Sequence, residues 1–65
     1  MKTGTIKRLM DKGFGFIGVE GEKDYFFHMN EVENARFEEL NEGDQVQFEV
    51  AEGPKGLSAV KVTRI

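Results

Sequence analysis

Phe14 and Phe16 alternate in one short segment, and Phe26 and His28 alternate in another. Residues of like parity share one face of a β-strand, so each segment presents its rings on one side. Glycines at 13, 15 and 18 leave little bulk beside them, and Lys7, Arg8 and Lys12 precede them. Flat rings among small residues and cations suit one chemistry: unpaired bases stack on the π-faces while phosphates are held at the edge. The opposite parity supplies Ile17, Val19, Tyr25 and Phe27 for a core. Phe14, Phe16 and Phe26 would then remain outside, and a contiguous exposed apolar patch marks a binding surface. The plainer alternative makes this row the other half of the core.

Other chemistries fare worse. Gly13-Phe14-Gly15-Phe16-Ile17-Gly18 matches the G-x-G-x-x-G pattern letter for letter. That pattern needs a strand before it, a helix after it and a surrounding βαβ unit, for which 65 residues leave no room. His28 has no partner nucleophile to serve as a catalytic base, and Glu38-Glu39 reads as a solvated acidic face rather than a two-carboxylate site. With no Cys and one His, the chain offers neither a disulfide nor a conventional metal site. The expectation is therefore a non-enzyme without cofactor or metal. The longest apolar run falls far short of a membrane span, and no signal-peptide pattern opens the chain. A cytoplasmic protein without membrane contact is expected.

The elements that must position the rings are short strands. Thr3 to Met10 reads as the first, although parity does not settle its faces: Ile6 shares a side with Arg8, and Leu9 with Lys7. Asp11-Lys12-Gly13 is a turn signal, Phe14 to Glu20 a second strand, and Asp24 to Met29 a third after the turn Glu20-Gly21-Glu22-Lys23. Asn30 followed by Glu33 resembles a capping box and supports one short helical turn. Residues 34–44 read as an acidic loop. Gln45 to Ala51 alternates with Val46, Phe48 and Val50 inward, and Ser58 to Arg64 closes the chain with Val60 and Val62 as core. Five short strands separated by turn signals make an all-β chain and suggest a small closed or nearly closed barrel, expected as one domain over residues 1–65. Closure also removes the exposed strand edges that so short a chain could not otherwise protect.

The net charge of −3 is an average of unlike parts. Residues 1–17 carry a local +3, residues 18–65 a local −6, and residues 31–52 hold eight acids against Arg36 alone. Exposed charges act over about 8–10 Å at ordinary salt, so a basic face can bind an anion while the far side stays acidic.

Lys12-Gly13-Phe14-Gly15-Phe16-Ile17 resembles the first ribonucleoprotein motif of the bacterial cold-shock domain, and Tyr25-Phe26-Phe27-His28-Met29 its second. Gly4-Thr5-Ile6-Lys7 resembles that family's opening strand. Glu42-Gly43 through Val50, then Glu52-Gly53 and Gly56, resemble its later strands and loop. The similarity runs through essentially the whole chain in the family's order. The rival RNA-recognition motif needs two helices and a longer chain.

The resemblance implies a five-stranded antiparallel OB-type β-barrel that binds single-stranded RNA and DNA and acts as an RNA chaperone. It implies that Phe14, Phe16 and Phe26 stack on successive bases, with His28 stacking or hydrogen-bonding beside them. Phe37 is implied as an outlying stacking contact, with pinning of its own loop as the alternative. Lys7 and Lys12 would follow the backbone path, and Lys55 would add a basic contact. The expected state is a monomer, with a dimer or strand swap left open. Several positions depart from the family. Lys7-Arg8-Leu9 stands where Lys-Trp-Phe is usual, so Arg8 replaces a stacking tryptophan with a guanidinium plane. The turn at Met10 to Lys12 is one residue short, Met29 replaces a frequent Phe, and Tyr25 exceeds the usual Val and is expected to strain or reshape the barrel. A second reading, motivated by the acidic stretch and the missing tryptophan, is a protein-interaction barrel that uses residues 31–52 and binds little nucleic acid.

Overall fold

The computed structural model describes residues 1–54 and 56–65, and Lys55 lies outside the described residues. Five strands form a closed barrel: β1 (Lys2–Met10), β2 (Phe14–Gly18), β3 (Tyr25–His28), β4 (Gln45–Gly53) and β5 (Gly56–Arg64). Around the barrel the order is β1-β2-β3-β5-β4. The β1–β2, β1–β4, β2–β3 and β4–β5 ladders are antiparallel. The barrel is not antiparallel throughout, because β3 meets β5 in parallel at Phe26↔Ser58. Beyond that rung, Val32 bridges Val62 in parallel. The Asn34 side-chain amide donates to the Arg64 carbonyl at 3.0 Å and accepts from the Arg64 N–H at 2.8 Å, imitating a ladder rung where no strand is present.

Two 3-10 turns, rather than one helical turn, lie between β3 and β4: Met29–Glu31 and Phe37–Glu39. The first starts a residue before the expected cap, because His28 does the capping, its Nδ1 accepting the Asn30 N–H at 3.2 Å. The second lies within the stretch expected to be loop. There the Glu39 carboxylate accepts the Arg36 N–H at 2.9 Å, and the Glu39 N–H donates to the Arg36 carbonyl at 2.9 Å.

Ile6, Ile17, Tyr25, Phe27, Leu40, Val46, Phe48, Ala59 and Val62 form the core. Each fully buried aliphatic or Phe side chain contributes about 1.5–3 kcal/mol relative to exposure, which a chain of this size needs. Tyr25 fits without displacing the closure. Its ring packs 5.3 Å from that of Phe48, and its hydroxyl donates to Glu22 at the barrel end, where Glu22 also pairs with Lys2 at 2.8 Å. Two expected core residues are less covered. Val50 is 36% exposed, since the β1 ladder along β4 ends at Lys2↔Phe48 and leaves the rest of β4 without that neighbour. Val60 is half-buried. The β4–β5 register shifts between Gln47 and Glu49, and Lys61 sits at φ 52°, so the buried side of β5 passes from Ala59 to Val62.

Gly15 shows how tightly β1, β2 and β3 meet. A Cβ there would stand 2.6 Å from the Arg8 carbonyl oxygen and 2.8 Å from the Phe27 ring. Only glycine lets the two strands approach over a phenylalanine of the core.

Candidate nucleic-acid interface

The outer face of β1, β2 and β3 is built by register. Phe14 lies opposite His28, and Phe16 opposite Phe26. Directly opposed residues share a face, so these four side chains form one outward patch while Gly15, Ile17, Tyr25 and Phe27 turn inward. Three rings touch one another. Phe14 and Phe26 have centroids 5.4 Å apart, Phe16 and Phe26 6.0 Å, and Phe14 and Phe16 6.2 Å, with Phe16 edge-on to both neighbours. Phe26 is 39% exposed, His28 is exposed, and Phe14 and Phe16 are half-buried. The cluster is thus supported from the side by its own members and open to flat ligands from above.

β1 resolves the parity left open by the sequence. Its register with β2 shifts between Ile6 and Arg8, a β-bulge at Lys7. A bulge places an extra residue against one partner and re-aims the side chains around it. Ile6 is buried; Arg8 is exposed directly opposite Phe16. Lys7 is exposed as well, and its stem lies across Gly18, where a Cβ would come within 2.8 Å of the Lys7 Cγ. The glycine that continues the Phe14–Phe16 row is therefore roofed by the Lys7 stem, while Arg8 stands beside the rings themselves.

Lys12 stands in the β1–β2 turn, closed by the Gly13 N–H donating to the Met10 carbonyl at 3.1 Å with Gly13 at φ 94°. Neither Lys7, Arg8 nor Lys12 makes a side-chain hydrogen bond or ion pair among the described residues. By contrast, Lys2 pairs with Glu22, Lys61 lies 3.5 Å from Glu49, and Arg64 donates to the Glu39 carbonyl. The cations beside the rings are free for a ligand. Acids border them at both ends. Glu20, Glu22 and Asp24 share a shallow groove with Lys7, and Glu38 shares another with Lys12.

His28 is held rather than loose. Its Nδ1 accepts a backbone N–H, which leaves Nε2 as the ring's proton carrier and outward donor. Phe37 stands apart from the three-ring cluster. Its ring lies 6.1 Å from that of Phe27, half-buried against the core, and its remaining surface lines a groove with Lys12, Gly13 and Met29. Met29 covers Gly13 and is 45% exposed.

Sequence reasoning missed Leu57. It is 52% exposed and, with Phe26, Pro54 and Ser58, lines an apolar groove continuous with the ring patch. Its signal in the sequence is an apolar residue directly after Gly56, one position before the strand expected from Ser58. Glu22 was also missed. Its hydrogen bonds from Lys2 and then Tyr25 hold its carboxyl below the usual carboxylate range, while the bond to Glu22 raises both Lys2 and Tyr25. On the acidic stretch, Val50 is the one large apolar residue of 31–52 exposed among the described residues. The described residues of that stretch thus show no contiguous exposed apolar patch of the kind that marks a binding surface.

Comparison with known proteins agrees with this geometry. The model of the 'Cold-shock' DNA-binding domain matches residues 2–65. The chain is 48% identical to the cold shock-like protein CspLB of Listeria monocytogenes, and 46% identical to the cold shock protein CspA of Staphylococcus saprophyticus and of Staphylococcus aureus. Each of these alignments covers the whole of both chains. Among solved structures, Drosophila Unr CSD456 superposes with a TM-score of 0.79 at 35% identity, over 98% of this chain and 26% of that longer one. A closed five-stranded barrel, an outward aromatic cluster on β2 and β3, and a full-length family match place the chain in the cold-shock domain family of nucleic-acid-binding proteins.

Proposed function

We propose that the protein binds single-stranded RNA and DNA on the outer face of β1–β3, as a cytoplasmic monomer working without catalysis or cofactor. Stacking unpaired bases lowers the free energy of the open strand relative to a hairpin, and weak RNA structure melts by competition. The cluster of Phe14, Phe16 and Phe26 supports this reading, because three mutually supported rings face outward, Phe26 exposed and Phe14 and Phe16 half-buried, where folding alone gains little from placing them. Each stacked base is worth about 1–3 kcal/mol by truncation, so three platforms supply roughly 3–9 kcal/mol gross, reduced by the cost of ordering the strand. Lys7 and Lys12 serve the phosphates, and His28 offers its Nε2–H beside the bases. Phe37 contributes from the neighbouring groove through the edge that the core leaves open. Lys55 is proposed as a further basic contact on its family match alone.

The test is a titration of a labelled pyrimidine-rich oligonucleotide against the wild type and the triple variant Phe14→Ala, Phe16→Ala, Phe26→Ala. The label belongs on the nucleic acid, since the chain has no Trp. The triple variant should lose at least a hundredfold in affinity. Equal affinity with both proteins folded by circular dichroism would remove the stacking mechanism.

A further inference from the structure

We infer that Arg8 selects guanine for the base stacked on Phe16, by donating two parallel hydrogen bonds to the guanine O6 and N7. This rests on the stacking reading above and specifies it.

Arg8 and Phe16 are direct partners in the β1–β2 ladder. Opposed residues on one face stand about 4.5–5.5 Å apart at Cβ, within the width of a base. A base lying on Phe16 has Phe26 on its β3 side and Arg8 on its β1 side. The arginine stem is long enough for its guanidinium to reach past the ring to the edge of that base. Arg8 is exposed, and its side chain has no hydrogen-bond or ion-pair partner among the described residues. Its donors are therefore uncommitted. The guanidinium is a rigid planar fork, and on the purine edge that carries N7 guanine presents two acceptors, O6 and N7, side by side. Adenine offers an acceptor beside a donor there, thymine has no two adjacent acceptors, and cytosine's adjacent N3 and O2 lie on its pairing edge, so dependence on N7 is the mark of the guanine contact. Lys7 precedes Arg8 in β1 and Lys12 stands in the turn that follows the strand, and both bring the compact charges that phosphates accept, which leaves the fork for a base edge.

The strand can slide, so the guanine need not sit at one fixed position of an oligonucleotide. What the geometry fixes is a preference carried by one residue. A bidentate Arg–guanine pair discriminates by about 5- to 150-fold.

The experiment compares a labelled oligothymidine with the same oligomer carrying one central guanine, and again with 7-deazaguanine, which lacks the N7 acceptor. The proteins are the wild type, Arg8→Ala and Arg8→Lys. In the wild type the guanine oligomer should bind at least fivefold tighter than oligothymidine, and 7-deazaguanine should erase most of that gain. Arg8→Ala should bind all three oligomers alike, and Arg8→Lys, which keeps the charge and loses the fork, should likewise lose most of the preference. An Arg8→Ala loss equal on every oligomer would overturn the inference in favour of a phosphate contact and leave the stacking reading intact. No guanine preference in the wild type would overturn it as well. Absence of binding to any oligomer by the wild type would overturn both.

Discussion

If rings dominate binding and charge is secondary, the salt dependence of affinity is set by a small number. Three cations at the ring face, Lys7, Arg8 and Lys12, are unpaired among the described residues. Each phosphate neutralised on a single strand contributes about −0.7 to the slope of log affinity against log salt. If all three met phosphates the slope would be about −2, and raising salt from about 50 to about 200 mM would weaken binding about 15- to 20-fold. With Arg8 on a base edge, two phosphate contacts remain and the slope falls to about −1.4, a loss of roughly sevenfold over the same range. Lys12→Gln should flatten it by a further 0.7 or so. Removing Phe14, Phe16 and Phe26 should lower affinity strongly while leaving the slope nearly unchanged, because stacking releases no counterions. Anisotropy of a labelled oligonucleotide at four or five salt concentrations reads both quantities. A slope steeper than about −3, more than these cations and Lys55 together can generate, would refute the reasoning, and so would an affinity that vanishes at high salt with all three rings in place.

Two further outcomes follow from the packing. Gly15→Ala should destabilise the fold by about 1–3 kcal/mol or more, since its Cβ would meet the Arg8 carbonyl and the Phe27 ring, both fixed by the barrel; urea unfolding measures it, and an unchanged midpoint would contradict the close approach. The Glu22 carboxyl is held low in the folded state, so its contribution is present above the ordinary carboxylate range and disappears as pH falls through its folded value. Lys2 and Tyr25 are raised, so theirs are present below their ordinary values and are lost as pH rises through the folded ones. The stability gap between wild type and Glu22→Gln should thus be present at pH 7 and shrink as pH falls below the ordinary carboxylate range, and a gap that stays constant into acid would exclude the Lys2–Glu22–Tyr25 contacts as its source.

The parts of the fold legible in the sequence are those where strict alternation met a turn signal. β2 and β3 fall within the expected Phe14–Glu20 and Asp24–Met29 but are shorter, at Phe14–Gly18 and Tyr25–His28, and over those residues the inward and outward sides are as read, because no bulge interrupts either strand. β1 and β5 resisted the same reasoning for one physical reason. A bulge adds a residue and reverses parity, and nothing in Ile6-Lys7-Arg8 or Val60-Lys61-Val62 announces it. Lys61 occupies a positive φ that a reader would look for at Gly or Asn. The second 3-10 turn was hidden because Arg36 and Glu39 form its box through a backbone N–H, without a Ser, Thr or Asn to mark the cap. For the site, the ring row was legible from parity alone. The approach of Arg8 to Phe16 was not, since it depends on the β1 register, and Phe37 proved bound to the core by a contact with Phe27 that spans ten residues of sequence.

The most direct measurement is amide chemical-shift mapping of the labelled protein as an unlabelled single-stranded oligonucleotide is added. The account predicts shifts concentrated at Lys7 and Arg8, from Lys12 to Gly18, and from Phe26 to His28, with the outward strand of β4 little changed. Shifts confined to residues 31–52, or none at any ratio of oligonucleotide to protein, would contradict it.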